Sequence, residues 1–285
     1  MTKFELTPAE IIKVKNGEVS YENDLLSVEE PLEIKISYVV DGEYVEKDLS
    51  ITMRTPGHDQ NLVYGFLFTE GIINTTTDIS EFFVNEETTS KTGLSANQVV
   101  CKLIPELEFD FTAVERHFYT TSSCGVCGKA SIDAVKIACP IIVPQNKWII
   151  PYQLLNTFNE TLKNAQKNFT YSGGIHASAL FDLEGHLLVI REDVGRHNAL
   201  DKVIGEALMN NMIPLFDTIL FLSGRASFEL VQKASMAGIR MICAVGAPSS
   251  LAVDLAQELD ITLVGFLRDN RFNIYSAPER INLKL

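Results

Sequence analysis

Asp217-Thr218-Ile219-Leu220-Phe221-Leu222-Ser223-Gly224-Arg225-Ala226-Ser227 sets the fold. A short apolar run, the length of a buried strand, stops at a loop of small, polar and basic residues. Ser227 then opens a helical pattern that lasts to Ala237. The rhythm recurs downstream. Ile239–Val245 reads as a strand, Ser249 to Leu259 as a helix, and Ile261–Leu267 as a strand, with Phe272–Tyr275 as an edge. Upstream, Ile175–Asp182 and Leu187–Arg191 flank a turn at Glu184-Gly185, and Asn198 to Met209 is helical. Pro151 to Lys167 is a further helix, with Leu154, Leu155, Phe158 and Leu162 on one side. The order is helix, two strands, then helix–strand repeated. It predicts a three-layer α/β sandwich around a mixed sheet.

The chain before this is different. Residues 1–30 form a polar lead-in with a weak strand or two. Leu32 to Val40 and Glu43 to Met53 alternate as strands about an Asp41-Gly42 turn. Arg54-Thr55-Pro56-Gly57-His58-Asp59 opens a helix, with Thr55 as its cap and Asp59 at its positive end. Leu62, Val63, Phe66 and Leu67 give that helix one apolar face, and Gly71 ends it. Ile79 to Val84 and Ala96 to Ile104 are further strands. Residues 1–116 thus form a small α+β unit ahead of an α/β domain spanning 117–285.

Charge follows the same division. Residues 1–116 carry 9 Lys+Arg against 22 Asp+Glu, whereas 117–285 carry 15 of each. The acidic excess, a net of -13, disfavours non-specific nucleic-acid binding. No apolar run approaches the ~20 residues that span a bilayer. With no signal-like start and five irregularly spaced cysteines, the expected location is the cytoplasm.

Two of those cysteines stand out. Cys124 and Cys127 lie in Ser122-Ser123-Cys124-Gly125-Val126-Cys127-Gly128-Lys129, ahead of a helical segment from Ala130 to Ala138. A helix N-terminus and a nearby Lys lower a thiol's pKa and make it a nucleophile. Persulfide transfer, disulfide exchange and metal ligation all remain open on these residues. A structural zinc site needs about four ligands, and no second CxxC or HxxxH is present. Cys101, Cys139 and Cys243 are isolated in apolar runs, as core cysteines would be.

Three loops suit an anion. They are Tyr171-Ser172-Gly173-Gly174-Ile175-His176, Arg191-Glu192-Asp193-Val194-Gly195-Arg196-His197-Asn198, and Ser223 to Ser227. Their glycines, hydroxyls and bases, with Gly173, His176, Arg196, His197 and Arg225 foremost, would gather at the carboxyl ends of strands. A fourth stretch, Gly265-Phe266-Leu267-Arg268-Asp269-Asn270-Arg271-Phe272-Asn273-Ile274-Tyr275, follows the last strong strand. Arg pairs with phosphate in a bidentate way, and Asp or Asn can bond a base edge. Taken singly, each of the three loops is no more than a turn and a capped helix, and the fourth stretch no more than a solvated hairpin end.

These stretches together resemble the formate dehydrogenase accessory sulfurtransferase family (FdhD), almost end to end. Arg54–Asp59, Gly65–Gly71, Ser122–Lys129, Gly173–Ala177, Glu192–Lys202, Ser223–Ser227, Ala247–Ser250 and Gly265–Arg268 carry the likeness. The resemblance implies a cytidine-deaminase-like fold for the second domain and a homodimer. It implies a sulfurtransferase with a cysteine persulfide intermediate. Sulfur would come from a cysteine desulfurase onto Cys124, with Cys127 as helper. It would pass to the molybdenum (or tungsten) bis-pterin guanine dinucleotide cofactor, held as cargo, before insertion into formate dehydrogenase. The guanine dinucleotide is expected near Phe266 to Arg271. No structural metal is expected. The helix starts at Gly195–Asn198 and Ser223–Ser227 offer no cysteine, so the zinc site of deaminases has no counterpart. Two rival classes are a cofactor-binding chaperone with incidental thiols and a metal enzyme using the CxxC as ligands.

Overall fold

The structure is a computed structural model, and it describes residues 5–85, 97–107, 148–268 and 270–284. The Cys124–Cys127 loop and the expected boundary at residues 116 and 117 lie outside them. Cys139 and Asp269 do too.

Two hairpins open the chain. β1 (Leu6–Lys15) and β2 (Glu18–Ser27) form a ribbon of their own around Asn16-Gly17. β3 (Glu30–Val40) and β4 (Glu43–Arg54) turn at Asp41-Gly42, where both residues have positive φ, 51° and 84°. That is the backbone a two-residue hairpin with right-handed twist requires. β5 (Ile79–Val84) and β6 (Gln98–Leu103) complete a four-stranded sheet in the order β4-β3-β6-β5.

Helix α1 (Asp59–Thr69) shares a core with this sheet. Thr55 does not cap it. The helix begins after His58, which sits in the left-handed region at φ 55°, and Pro56 and Gly57 stay outside. Thr55 is committed elsewhere. Its N–H donates to Asp193 Oδ2 at 3.1 Å, and its Oγ1 accepts from Val194 N–H at 3.2 Å. Its carbonyl accepts from Lys202 Nζ at 2.8 Å. Asp59 does occupy the first turn, and the buried Arg54 grips its carboxylate at two points, 3.0 and 3.1 Å. The helix is also buried beyond the expected face: Tyr64, Gly65 and Phe68 join Leu62, Val63 and Leu67. Its other side packs on a later helix, α4 (Arg196–Met209), a contact that no local periodicity announces.

The six-stranded sheet has the order β13-β12-β11-β10-β8-β9. Its strands are β8 (His176–Phe181), β9 (Leu187–Asp193), β10 (Ile219–Leu222), β11 (Met241–Ala244), β12 (Thr262–Arg268) and β13 (Arg271–Ser276). β10, β11 and β12 are parallel, and β8, β9 and β13 run antiparallel to their neighbours. The expected mixed sheet is therefore present, with β13 as its edge. Side chains alternate between its faces. Leu180, Leu220, Ile242 and Leu263 face one core, shared with α4 (Arg196–Met209), α5 (Phe228–Met236) and α6 (Ser250–Glu258). Leu32, Ile36, Leu62 and Leu67 of the first sheet and α1 belong to that same core. Ala179, Phe181, Phe221 and Cys243 face a second core, covered by Leu155, Phe158 and Leu162 of α2 (Tyr152–Ala165). Phe158 stacks on Phe181 with ring centroids 4.4 Å apart. A short α3 (Lys167–Ser172) follows α2, and β7 (Ile150–Pro151) pairs with β14 (Ile281–Asn282). Among the described residues no helix is long and apolar enough to cross a membrane.

Candidate functional site

Parallel β10, β11 and β12 bring their carboxyl ends to one edge of the sheet. β8 runs against β10, so its first residue, His176, arrives at the same edge, opposite Asp193 at the end of β9. Backbone bonds then join the loops into one surface. Val245 N–H donates to Leu222 O at 3.0 Å, Gly246 N–H to Gly224 O at 2.9 Å, and Ser249 N–H to Ala226 O at 3.0 Å. Phe266 N–H reaches Gly246 O at 3.1 Å. Gly246 is obligatory here, because a Cβ would stand 2.9 Å from Arg225 Cγ and 3.0 Å from Gly224 O.

At one end of this edge lies a cluster of bases. His176 sits beside Gly224, and its pKa is pushed below the usual histidine value by burial, then by the charges of Arg196 and His197. Arg196 and His197 open α4, behind a loop fixed by Asp193. Asp193 Oδ1 accepts from Gly195 N–H at 2.8 Å and Asn198 Nδ2 at 3.2 Å, while Lys202 Nζ lies 2.7 Å from Oδ2. His197 Nε2 is 2.7 Å from Glu229 Oε2. The two atoms are in close contact, although the ring nitrogen does not meet hydrogen-bond geometry there. Contact with His197 is also the main cause that lowers the Glu229 carboxyl pKa, ahead of burial, which opposes it. Ser227 precedes α5 without capping it, and its buried Oγ has no partner among the described residues.

Gly173, His176 and Ser223 line a cavity of about 420 Å³ together with Lys163, Gln166, Phe169 and Val194. Gly173 ends α3 at φ 63°. Arg225 is exposed on the next loop. The fourth stretch lies at the far end of the edge. Phe266 takes φ 55°, a strained setting for an aromatic residue, within a register shift between Gly265 and Arg268. The shift re-aims the chain. Leu267 turns inward, 1% exposed in the second core, while Arg268, Asn270 and Arg271 are exposed. Leu267 is thus a core anchor. Three strand spacings of ~4.8 Å separate β8 from β12, about 14 Å along the sheet edge.

Glu229 was missed by sequence reading. Its only local signal is an acidic residue in the first turn after Ser227, which ordinarily serves the helix dipole. The fold places it against His197 instead. Cys101 and Cys243 are buried as expected, and burial pushes the Cys101 thiol up to about 12 and the Cys243 thiol up as well.

The family model of the FdhD/NarQ family matches residues 28–282. The chain belongs to this family. It is 45% identical over 276 residues to "Sulfur carrier protein FdhD" of Streptomyces coelicolor, covering 96% of this chain and 95% of the relative. It is 44% identical over 258 residues to the protein of that name from Picrophilus torridus, covering 90% and 92%. The fold is similar to the crystal structure of a protein assigned as a formate dehydrogenase accessory protein from Desulfotalea psychrophila. The TM-score is 0.70 at 23% identity, over 97% of this chain and 99% of that one. The family match takes in both basic ends of the sheet edge, His176 to His197 and Phe266 to Arg271, and the sequence from Cys124 to Cys127.

Proposed function

We propose that the chain is a cytoplasmic, homodimeric sulfur carrier for formate dehydrogenase. The observation that carries this reading is its likeness, over nearly the whole length of both chains, to FdhD/NarQ members named sulfur carrier proteins. The gathering of separated basic loops at one sheet edge supports it.

In this reading the Cys124 thiolate attacks the outer sulfur of a persulfide on a cysteine desulfurase. The donor's S–S bond breaks, the donor leaves as a thiol, and Cys124 carries a persulfide. The Cys127 thiolate then attacks the inner sulfur of that persulfide. A Cys124–Cys127 disulfide forms and hydrosulfide leaves, two electrons having passed to the departing sulfur. A dithiol reductant reopens the disulfide. The acceptor is the molybdenum (or tungsten) of a bis-pterin guanine dinucleotide, held as cargo and handed on to formate dehydrogenase. Arg196, Arg225, Arg268 and Arg271 supply phosphate contacts. Phe266 and Asn270 would contact the guanine, and Asp269 is the expected partner of its base edge. His176, pushed towards its neutral form, can accept a hydrogen bond, and Gly173 lets backbone approach the ligand.

The test is co-production of Cys124→Ala protein with a formate dehydrogenase. Loss of dehydrogenase activity, with GDP still bound by the variant, is the expected result. Full dehydrogenase activity would mean that the protein holds cofactor without carrying sulfur.

A further inference from the structure

A second cavity, of about 280 Å³, lies beyond the outer strand β9. Its wall includes Ala165, Lys167 and Asn168, whereas Gln166 and Phe169 line the cavity at the sheet edge. The α2–α3 junction therefore separates the two. This volume is at the small end for ligand sites and suits a molecule of amino-acid size, not a nucleotide.

The polar groups around it are unevenly satisfied. Lys202, 1% exposed, has three N–H donors, and among the described residues two are taken, by Asp193 and by Thr55 O. Arg191 spends one contact on Glu206 and one on Ile190 O, leaving further guanidinium hydrogens. Acceptors remain as well. Glu5 Oε2 accepts from Asn168 Nδ2, while Glu5 Oε1 and Asn168 Oδ1 have no donor among the described residues. Both Glu192 oxygens are occupied, by Asn168 N–H at 2.9 Å and Phe169 N–H at 3.0 Å. His58 stands at the rim, held at φ 55°, its pKa lowered by burial and then by the charges of Arg191 and Lys202, with Glu5 opposing. Non-glycine residues persist in that conformation where their surroundings fix them, and Thr55 and Arg54 fix this loop. Pro56, Ala165 and Ile190 supply an apolar wall.

We propose that this cavity binds a free α-amino acid with a small apolar side chain. Its carboxylate meets Lys202 and Arg191, its ammonium meets Glu5 and Asn168, and its side chain lies on Pro56, Ala165 and Ile190. Unfilled donors and unfilled acceptors within one small space match a zwitterion; a plain anion would leave Glu5 facing it. The site is independent of the sulfur-carrier reading, and its test does not use that activity.

Calorimetric titration of the full chain with L-alanine, acetate and methylamine decides the matter. Saturable binding of L-alanine, with acetate and methylamine each weaker by about tenfold or more, is the expected result. Glu5→Gln should weaken L-alanine about tenfold without moving the unfolding temperature, and Arg191→Met should weaken it similarly. No heat from L-alanine, acetate binding as well as L-alanine, or undiminished binding in both variants would each overturn the proposal.

Discussion

Gly65 of α1 and Gly205 of α4 cross backbone to backbone. A Cβ on Gly65 would stand 1.9 Å from Asp201 O, and one on Gly205 would stand 1.9 Å from Asn61 O. Two glycines inside helices cost about 1 kcal/mol each in propensity, and the close approach they allow joins the first sheet to the second. Gly65→Ala should therefore destabilise the protein by about 3 kcal/mol or more. The midpoint of urea unfolding measures it; an unchanged midpoint would show that the crossing can relax.

The same crossing buries charge. Lys233 Nζ lies 3.1 Å from Asp201 Oδ1 and 3.1 Å from Glu70 Oε1, and donates to Thr69 Oγ1 at 2.8 Å. Burial alone would lower the Lys233 pKa, but the two carboxylates carry it up to about 12. Lys233→Met leaves Asp201 buried without its counter-charge and should cost about 3–5 kcal/mol. The double variant with Asp201→Leu should recover part of that loss. Chemical denaturation of both variants checks the pair.

Cys101 and Cys243 should resist alkylation in the folded protein. Both are fully buried, with thiol pKa values raised by burial, and the thiolate is the reactive form. Mass mapping after iodoacetamide at pH 8 should find both unmodified until denaturant is added.

His176 makes stability depend on pH in a defined direction. Its folded pKa lies below the ordinary value of 6.5, with burial as the first cause. The unfolded state then takes up the proton first, so stability is full above about pH 6.5 and falls as pH drops towards the folded value. His176→Gln should lose less unfolding temperature between pH 7 and pH 5 than the parent. An equal loss in both would place the acid sensitivity elsewhere.

Much of the second half was legible because its strands and helices announce themselves locally. Leu220 and Leu222 alternate with Ile219 and Phe221, and Ser249 caps its helix, accepting from Ala252 N–H at 3.3 Å. The loops were legible as loops, and the topology does bring His176, Arg196, His197 and Arg225 to one edge. What escaped depends on distant partners. Thr55 looks like a cap in isolation, but Asp193, Val194 and Lys202 take its backbone and hydroxyl. Leu267 looks like part of a binding loop, but the register shift beside Phe266 turns it into the core. Glu229 looks like a dipole residue until His197 is placed against it. Long-range geometry of this kind leaves no local period.

The central claim is that Cys124 carries sulfur. Intact mass after incubation with a cysteine desulfurase and cysteine tests it most directly. The parent protein should gain the mass of one sulfur atom, reversible by dithiothreitol, and Cys124→Ala should not. A gain that persists in Cys124→Ala, or none in the parent, would contradict the account.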